Sequence, residues 1–231
     1  MTAALIDERA TALTRARYQR LSTIYDLMEG LAESRYRPWR EKLWAMVRGD
    51  RILEIGVGTG KNMPYWPKGA QTFAPPARAC PDAKRVEGAG VTGIDLTPGM
   101  LERAKRRAKE LGLTATLRLG DAQVLDFPDA SFDTAVATFV FCSVPDPALG
   151  LRELKRVVRP GGQVLLLEHM RSANPVLGAM MDTVNPLVVR MMGANVNRRT
   201  VENVWASGLS VETIEDLGMG GIFKLIAARA G

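Results

Sequence analysis

The chain has 231 residues, of which 46% are apolar, a size and composition that allow one domain with a sizeable core. Its apolar runs are far shorter than the roughly 18 to 20 residues of a membrane-spanning helix, and no secretory signal is readable at the amino terminus. Two widely separated cysteines and one histidine argue against a disulfide framework and a zinc site. We therefore expect a cytoplasmic protein that binds no metal ion.

The formal net charge of +6 is compatible with a nucleic-acid or anionic-membrane partner. The excess is spread along the chain, because residues 1–60 hold ten basic and eight acidic groups and residues 171–231 hold six and five. The basic residues from Arg103 to Lys109 are typical of a solvated helix face. We therefore predict no nucleic-acid partner and keep peripheral contact with the inner face of an anionic membrane as a hypothesis.

The first predicted elements form a helical cap over residues 1–48. Residues 5–33 have an amphipathic helical pattern, with Leu13 and Ile24 on a rough apolar stripe and the arginines off it. A second short helix is predicted after Pro38, over 39–47. Two roles stay open for this cap: a lid packed on the rest of the chain, or a helix that lies on an anionic membrane.

Residues 49–231 are predicted to form the main domain. Helices at 98–111 and 147–158 lie between predicted strands, an alternation that indicates a mostly parallel, doubly wound α/β sheet covered on both faces. A short link near 218–221 predicts that the last strand enters antiparallel. Seven strands are predicted, at 51–55, 91–95, 115–119, 132–138, 163–168, 211–216 and 223–228.

Two segments interrupt this alternation. Residues 64–90 contain five prolines, and we interpret them as a looped insertion. Residues 175–193 are almost wholly apolar and include four methionines, so we interpret them as a flexible apolar wall. Such a wall is suited either to packing against the sheet or to holding an acyl chain, since methionine adapts to irregular apolar shapes.

A glycine-rich turn, Glu54-Ile-Gly-Val-Gly-Thr-Gly60, follows the first strand. Glycines let the backbone turn tightly and approach a ligand closely. Lys61 stands where a dinucleotide fingerprint has its third glycine, and Asn62 stands where a phosphate loop has Ser or Thr, so neither motif fits. Asp95 ends the second strand, where a carboxylate suits ribose hydroxyls, and Gly120-Asp-Ala122 follows the third.

These motifs, together with Arg159-Pro-Gly-Gly162 before the fifth strand, resemble class I S-adenosylmethionine-dependent methyltransferases, which have a Rossmann-like fold. The resemblance covers about residues 45–230 and implies S-adenosylmethionine as cofactor and S-adenosylhomocysteine as its product. The alternative, a plain strand-to-helix turn, does not account for several motifs in this order. The resemblance implies the following cofactor-binding residues: Glu54, Gly56, Gly58, Gly60, Asp95, Leu96, Met100, Asp121, Ala122 and Thr138.

The resemblance also implies a role for most of these positions. The glycines approach the methionine part of the donor, and Asp95 binds the ribose. Leu96 and Met100 flank the adenine, and the Asp121-Ala122 pair reads its edge. Glu54 orients the turn or the ammonium group of the donor.

Further motifs narrow the family resemblance. Tyr25-Asp26, Thr138-Phe-Val-Phe-Cys-Ser-Val144, Leu167-Glu-His-Met-Arg171 and Asn195-Val-Asn-Arg-Arg-Thr200 are similar to the phospholipid N-methyltransferase and quinone C-methyltransferase branch. The insertion at 64–90 departs from that pattern. We expect a lipid or other hydrophobic acceptor, first the amine of phosphatidylethanolamine at the membrane surface. A carbon atom of a prenylated quinone and a small thiol or other small molecule are the alternatives.

The catalytic candidates follow from the chemistry of methyl transfer. Attack on a sulfonium needs no covalent enzyme intermediate, so alignment of the reactants supplies much of the acceleration. An amine must lose its proton before it attacks, and Tyr25, Glu168 and His169 are candidates for that step or for positioning. His169 is also explained as a structural histidine, and Tyr25 as part of a lid.

Three arginines are candidates for the acceptor site. Arg171, Arg198 and Arg199 carry guanidinium groups whose fork matches the oxygens of a phosphate diester. Surface charge or helix capping explains them equally well. The sequence therefore predicts a phosphate contact at this end of the chain without choosing among the three.

Overall fold

The computed structural model describes residues 6–67 and 90–231, apart from the side chains of Met28, Glu29 and Leu31. Most of the predicted insertion at 64–90 lies outside the described residues. The helices are α1 Glu8–Leu21, α2 Tyr25–Ala45, α3 Pro98–Glu110, α4 Pro147–Val157, α5 Pro175–Met192 and α6 Thr200–Ala206, with a 3-10 turn at Met63–Tyr65. The strands are β1 Arg51–Ile55, β2 Gly90–Asp95, β3 Thr116–Leu119, β4 Phe132–Thr138, β5 Val158–His169, β6 Ser210–Asp216 and β7 Phe223–Arg229.

The seven strands form one sheet in the order β3-β2-β1-β4-β5-β7-β6. The first five pair in parallel, and β7 is antiparallel to both β5 and β6. This confirms the predicted Rossmann-like sheet and its antiparallel final strand. The chain order reverses between β1 and β4, and ligands of open α/β sheets bind outside the carboxyl ends of the strands at such a reversal.

Apolar clusters cover both faces of the sheet. On one face α4 buries Leu151 and Leu154, which recur at helical spacing, against the inward side chains of β4 and β5. On the other face α3 buries Leu101 and Ala104 against β1 and β2. Because the central strands are buried on both sides, their carboxyl ends are held at fixed positions for a site.

The amino-terminal cap differs from its prediction. The predicted helix at 5–33 is interrupted after α1, where the Ser22 hydroxyl donates to the carbonyl of Gln19. The next helix runs on through Pro38 to Ala45. Packing of the buried Leu43 favours the continuous helix, and the carbonyl that Pro38 leaves without a donor belongs to the exposed Ser34, where water can reach it.

Two predicted apolar surfaces also differ. Leu13 and Ile24 of the N-terminal stripe are exposed, and α1 buries Thr11 instead. Residues 175–193 form helix α5, which buries Gly178 and Met181. The other large apolar side chains of α5 are mostly exposed, so packing against the sheet does not account for them.

Candidate active site

A cavity opens at the carboxyl ends of β1, β2 and β4, beside the reversal of strand order. It brings together most of the predicted cofactor-binding residues, although these are far apart in sequence. The predicted residues that line it are Tyr25, Gly56, Gly58, Asp95, Leu96, Met100, Asp121, Ala122 and Thr138. The further lining residues include four that belong to no motif of the sequence, which are Thr14, Tyr18, Thr97 and Pro145. They also include four that lie within the motifs but had no predicted role, which are Gly120, Val140, Ser143 and Val144.

The glycine turn forms one wall of the cavity in a left-handed backbone conformation. The φ angle is +62° at Gly56 and +56° at Gly58. A Cβ atom on Gly56 would come 2.6 Å from a methyl group of Val140, whereas one on Gly58 would meet no atom nearer than 3.8 Å. At position 56 both the backbone conformation and the packing require glycine. At position 58 the backbone conformation favours glycine, and the space in front of it is open to a ligand.

Asp95 joins the end of β2 to the glycine turn. One carboxylate oxygen accepts from the Gly58 N–H at 2.9 Å, and the other accepts from the Thr97 N–H at 2.8 Å. Burial raises the pKa of this carboxyl, and the two backbone donors oppose that shift. The Thr97 side chain is a further partner, but a carboxylate has about four lone-pair sites, so Asp95 retains capacity to accept a hydroxyl group from a ligand in the cavity.

Asp121 lies at the other end of this wall. Its Oδ1 accepts from the Gln123 N–H at 2.8 Å, and the Gln123 side-chain amide donates to it at 3.1 Å. The same amide donates to the Thr11 hydroxyl at 3.1 Å. Asp121 is thereby oriented by a neighbour that also fastens α1.

Glu54 is placed beneath the turn and away from the cavity. Its two oxygens accept from the Asn62 amide at 2.8 Å and the Trp66 indole N–H at 2.7 Å. Burial raises its pKa to about 7. Asn62 also donates to the Thr138 hydroxyl at 3.1 Å, so this network links the turn to the end of β4. Gly60 likewise packs inward, where a Cβ atom would come 2.7 Å from Met63 Sδ.

Helix α1 forms a roof over the cavity. Thr14 and Tyr18 point into it. The Tyr18 hydroxyl is hydrogen-bonded to the Ser143 hydroxyl, and Gln19 Oε1 accepts from the Gly99 N–H at 2.9 Å. Nothing in the sequence around Tyr18 marks these partners, because they lie on segments far along the chain. The lid role that the sequence left open for the cap is the one that these contacts favour.

The start of α2 is fastened by Asp26. Its carboxylate accepts from the Thr59 hydroxyl at 2.7 Å. Lys61, Arg103 and Arg107 face it at 3.4 to 3.6 Å. Burial opposes ionisation, but the Thr59 hydrogen bond and the three cations hold the pKa of Asp26 below its usual value. Two members of the basic cluster predicted as a solvated helix face thus hold the start of α2.

Comparison with known proteins identifies the family. Residues 53–166 match a family model described as a methyltransferase domain. The chain is 38% identical over 160 residues to a phosphatidylethanolamine N-methyltransferase of Cereibacter sphaeroides, and the alignment covers 68% of each chain. The chain belongs to the S-adenosylmethionine-dependent methyltransferases. S-Adenosylmethionine is accordingly its cofactor, in agreement with the prediction.

Two further comparisons bear on acceptor and fold. The methyltransferase is 33% identical over 161 residues to a ubiquinone/menaquinone biosynthesis C-methyltransferase of Bdellovibrio bacteriovorus, across 68% of this chain and 62% of that protein. A Thermotoga maritima structure described as a possible histamine N-methyltransferase superposes with a TM-score of 0.66 and 19% identity, covering 94% of this chain and 100% of that one. At that identity the superposition shows the fold alone.

The methyltransferase cavity has features that fit its cofactor. A glycine turn with open space in front of Gly58 allows close approach of a ligand, and the Asp95 carboxylate retains acceptor capacity. Leu96 and Met100 supply apolar surface beside them.

In the described ranges, no group of three or more His, Cys, Asp or Glu residues is arranged to hold a metal ion. No helix of the described residues is long and apolar enough to cross a membrane.

The three catalytic candidates occupy different positions in this methyltransferase. Tyr25 lines the cavity, whereas Glu168 and His169 are not among its lining residues. The centroid of the His169 ring lies 6.2 Å from the centroid of the Phe139 ring and 6.4 Å from that of the Phe223 ring. Burial lowers the pKa of His169 to about 4, so the imidazole is neutral near pH 7. This packing agrees with the structural explanation of the histidine.

Glu168 supports the segment that follows β4. Its Oε1 accepts from the Val140 N–H at 2.8 Å and the Phe141 N–H at 3.0 Å. Its Oε2 is buried and has no hydrogen-bond partner within the described part of the chain. Burial raises the pKa of the carboxyl to about 7. Glu168 thus fixes the backbone that carries Val140 to the cavity.

Replacing Glu168 with glutamine is expected to weaken the fall of the melting temperature with rising pH. The folded state holds a proton up to about pH 7 that the unfolded chain releases near 4.5. The linked stability is therefore present below 4.5 and lost as the pH rises through 7. Thermal melts between about pH 5 and pH 8 measure this difference. If the melting temperatures of the two proteins changed with pH by the same amount over that range, the prediction would be wrong.

The three arginines predicted for the acceptor phosphate also differ in position. Arg171 forms an ion pair with Asp182, at 2.9 Å between Nη2 and Oδ2. Arg199 is exposed just before α6. Arg198 donates from Nη2 to the carbonyl of Val144 at 2.8 Å, and Val144 lines the cavity. Of the three, Arg198 is therefore the one tied directly to the cavity wall.

Proposed function

We propose that this methyltransferase transfers methyl groups to the headgroup amine of phosphatidylethanolamine at a membrane surface. The observation that carries the proposal is the pair Tyr18 and Tyr25, which line the cavity with ring centroids 6.4 Å apart. Aromatic faces attract ammonium groups, and each methylation leaves the nitrogen cationic. The similarity to a phosphatidylethanolamine N-methyltransferase at 38% identity also supports this acceptor.

The donor end of the cavity has the residues to hold S-adenosylmethionine. We assign its ribose hydroxyls to Asp95, its adenine to the apolar surfaces of Leu96 and Met100, and the adenine edge to Asp121. The backbone at Gly58 lies against the methionine part, where no side chain intervenes. When bound, the cofactor would supply a methyl group on a sulfonium, whose carbon the acceptor nitrogen would attack in line as neutral S-adenosylhomocysteine leaves.

The acceptor end of the cavity is the part formed by the roof. We assign to the Tyr25 hydroxyl, on a residue that lines the cavity, the role of accepting a hydrogen bond from the amine and orienting its lone pair toward the methyl group. Arg198 holds the Val144 carbonyl of the cavity wall, and its buried Nε has no hydrogen-bond partner within the described residues, so it is our candidate for the acceptor phosphate. Glu168 and His169 act through the backbone and rings that they support, because neither lines the cavity.

Methyl transfer from labelled S-adenosylmethionine to phosphatidylethanolamine vesicles tests the proposal. Label is expected in methylated lipid, and Asp95→Ala, which removes the predicted ribose contact, should abolish it. Tyr25→Phe is expected to lower kcat about tenfold or more through the loss of one positioning hydrogen bond. Absence of lipid label from wild-type protein that binds S-adenosylhomocysteine would refute the acceptor.

A prenylated quinone is the second candidate acceptor. The 33% identity to a quinone C-methyltransferase supports it. Parallel reactions with a demethylated prenylated quinone and a small thiol separate these alternatives. Label that enters the quinone and not the lipid would replace our proposal with carbon methylation.

A further inference from the structure

Helix α5 carries an apolar stripe that faces solvent. Its members recur at intervals of three and four residues, which places them within about 80° of arc on one side of the helix. Their exposed fractions run from 42% at Val184 to 81% at Val176. The packed side, with Gly178 and Met181, lies elsewhere on the helix. We call the following residues the α5 stripe: Val176, Met180, Val184, Leu187 and Met191.

The α5 stripe has the properties of an apolar interaction surface. Contiguous exposed apolar surface of this kind marks interaction sites, whereas single exposed apolar residues do not. Thr183 and Arg190 lie along one edge of the stripe, so α5 has both an apolar side and a polar border. An exposed apolar side with a polar border is a surface by which a helix can lie in the plane of a membrane interface.

The carboxyl end of α5 lies beside the roof of the cavity. A Cβ atom on Gly193 would come 3.3 Å from Arg17 and 3.6 Å from the ring of Tyr18. Just beyond, the Asn195 N–H donates to the carbonyl of Cys142 at 2.9 Å, next to Ser143 of the cavity wall. A surface that covered the α5 stripe would therefore lie next to the acceptor end of the cavity.

The basic residues near the α5 stripe favour an anionic partner. Helix α1 has four arginines and one glutamate, and Arg9 and Arg20 are exposed on the side opposite Thr11 and Tyr18. Arg190 adds an exposed positive charge on α5 itself. The one acidic residue of α5, Asp182, is paired with Arg171. An anionic surface complements these charges.

We propose that the α5 stripe is the surface by which this methyltransferase docks on an anionic lipid bilayer. The stripe enters the boundary between headgroups and acyl chains, and the arginines of α1 and α5 contact anionic headgroups. The inference rests on the proposed function in one respect, since docking gives a membrane lipid direct access to the cavity. It makes α5 the apolar contact in place of the N-terminal stripe, for which the sequence left open both membrane contact and a lid role.

Co-sedimentation with vesicles of phosphatidylcholine, with and without phosphatidylglycerol, tests the docking surface without any acceptor lipid present. The variant is Leu187→Glu/Met191→Glu, which keeps helix propensity and puts charge on the stripe. Its control is Leu111→Glu, which puts the same charged side chain on another exposed apolar residue, after α3 at the other end of the strands. We expect about tenfold or greater loss of partitioning in the double variant, wild-type partitioning in the control, and weaker binding of all three proteins at high salt.

Each other outcome overturns the proposal. Equal partitioning of wild type and double variant, or no wild-type binding to anionic vesicles, removes α5 as a docking surface. A lipid-free dimer, seen by sedimentation velocity, that the double variant dissociates would assign the stripe to self-association. Methylation of detergent-dispersed phosphatidylethanolamine separates the two proposals: docking without lipid methylation refutes only the acceptor, and methylation without stripe-dependent docking refutes only the surface.

Discussion

Asp95→Ala is expected to weaken the binding of S-adenosylhomocysteine by about 100-fold or more. The substitution removes a buried carboxylate that accepts from Gly58 and Thr97 and is assigned to the ribose hydroxyls. Hydrogen bonds to charged groups contribute about 1.5 to 3 kcal/mol each, and loss of two of them corresponds to at least this factor. Isothermal titration calorimetry with S-adenosylhomocysteine measures the change.

Asp133→Ala is the matched control for this measurement. Its carboxylate also accepts from backbone N–H groups, those of Asp50 and Arg51, but at the opposite ends of the strands. It forms an ion pair with Arg51 at 2.6 Å as well. We expect it to lower the melting temperature and leave the ligand affinity unchanged. An Asp95→Ala protein with wild-type affinity would show that the ribose lies elsewhere.

Gly58→Ala is expected to weaken the same ligand about tenfold or more while lowering stability only modestly. The left-handed backbone makes any Cβ atom cost about 1 kcal/mol. Within the described part of the chain, and apart from the two neighbours of Gly58 in sequence, the atom nearest to the new methyl group is the Gly56 carbonyl oxygen at 3.8 Å, and Gly58 lines the cavity. The methyl group therefore occupies space that we assign to the cofactor. Calorimetry and thermal melts together separate the two effects.

Gly112→Ala is the matched control, because it adds a Cβ atom to a left-handed backbone at a residue that does not line the cavity. Gly112 has a φ of +64° and no atom within 4 Å of an added Cβ atom, and it lies beyond the end of α3. Both alanine variants should lose a similar amount of stability, and only Gly58→Ala should lose affinity. Equal affinities in the two variants would place the cofactor away from the glycine turn.

The sheet and the donor end of the site follow from local sequence. The apolar run at Arg51–Ile55 and the glycines after it specify a buried strand and a tight turn within a few residues. Asp95 follows its own apolar strand in the same way. Parallel strands bring their carboxyl ends to one edge of the sheet. The sequence alone therefore predicted that Gly56 and Asp95 lie in the same wall of the cavity.

The roof of the site was not predictable in this way. Tyr18 meets Ser143 across 125 positions of sequence, and Asp26 meets Arg103 across 77. The direction of His169 depends on the rings of Phe139 and Phe223, which pack around it. Such contacts depend on how separate elements approach one another, and no local pattern encodes that approach.

The same distinction applies to the apolar surfaces. The apolar character of α5 and the helical stripe at Leu13 can be read from the sequence, because composition and spacing are local properties. Which of these side chains are covered depends on how the elements pack together. Once α3 and α4 occupy the two faces of the sheet, α5 buries Met181 and leaves Leu187 and Met191 exposed. Burial is a property of the whole packed chain, since the free energy depends on the area that other elements remove from water.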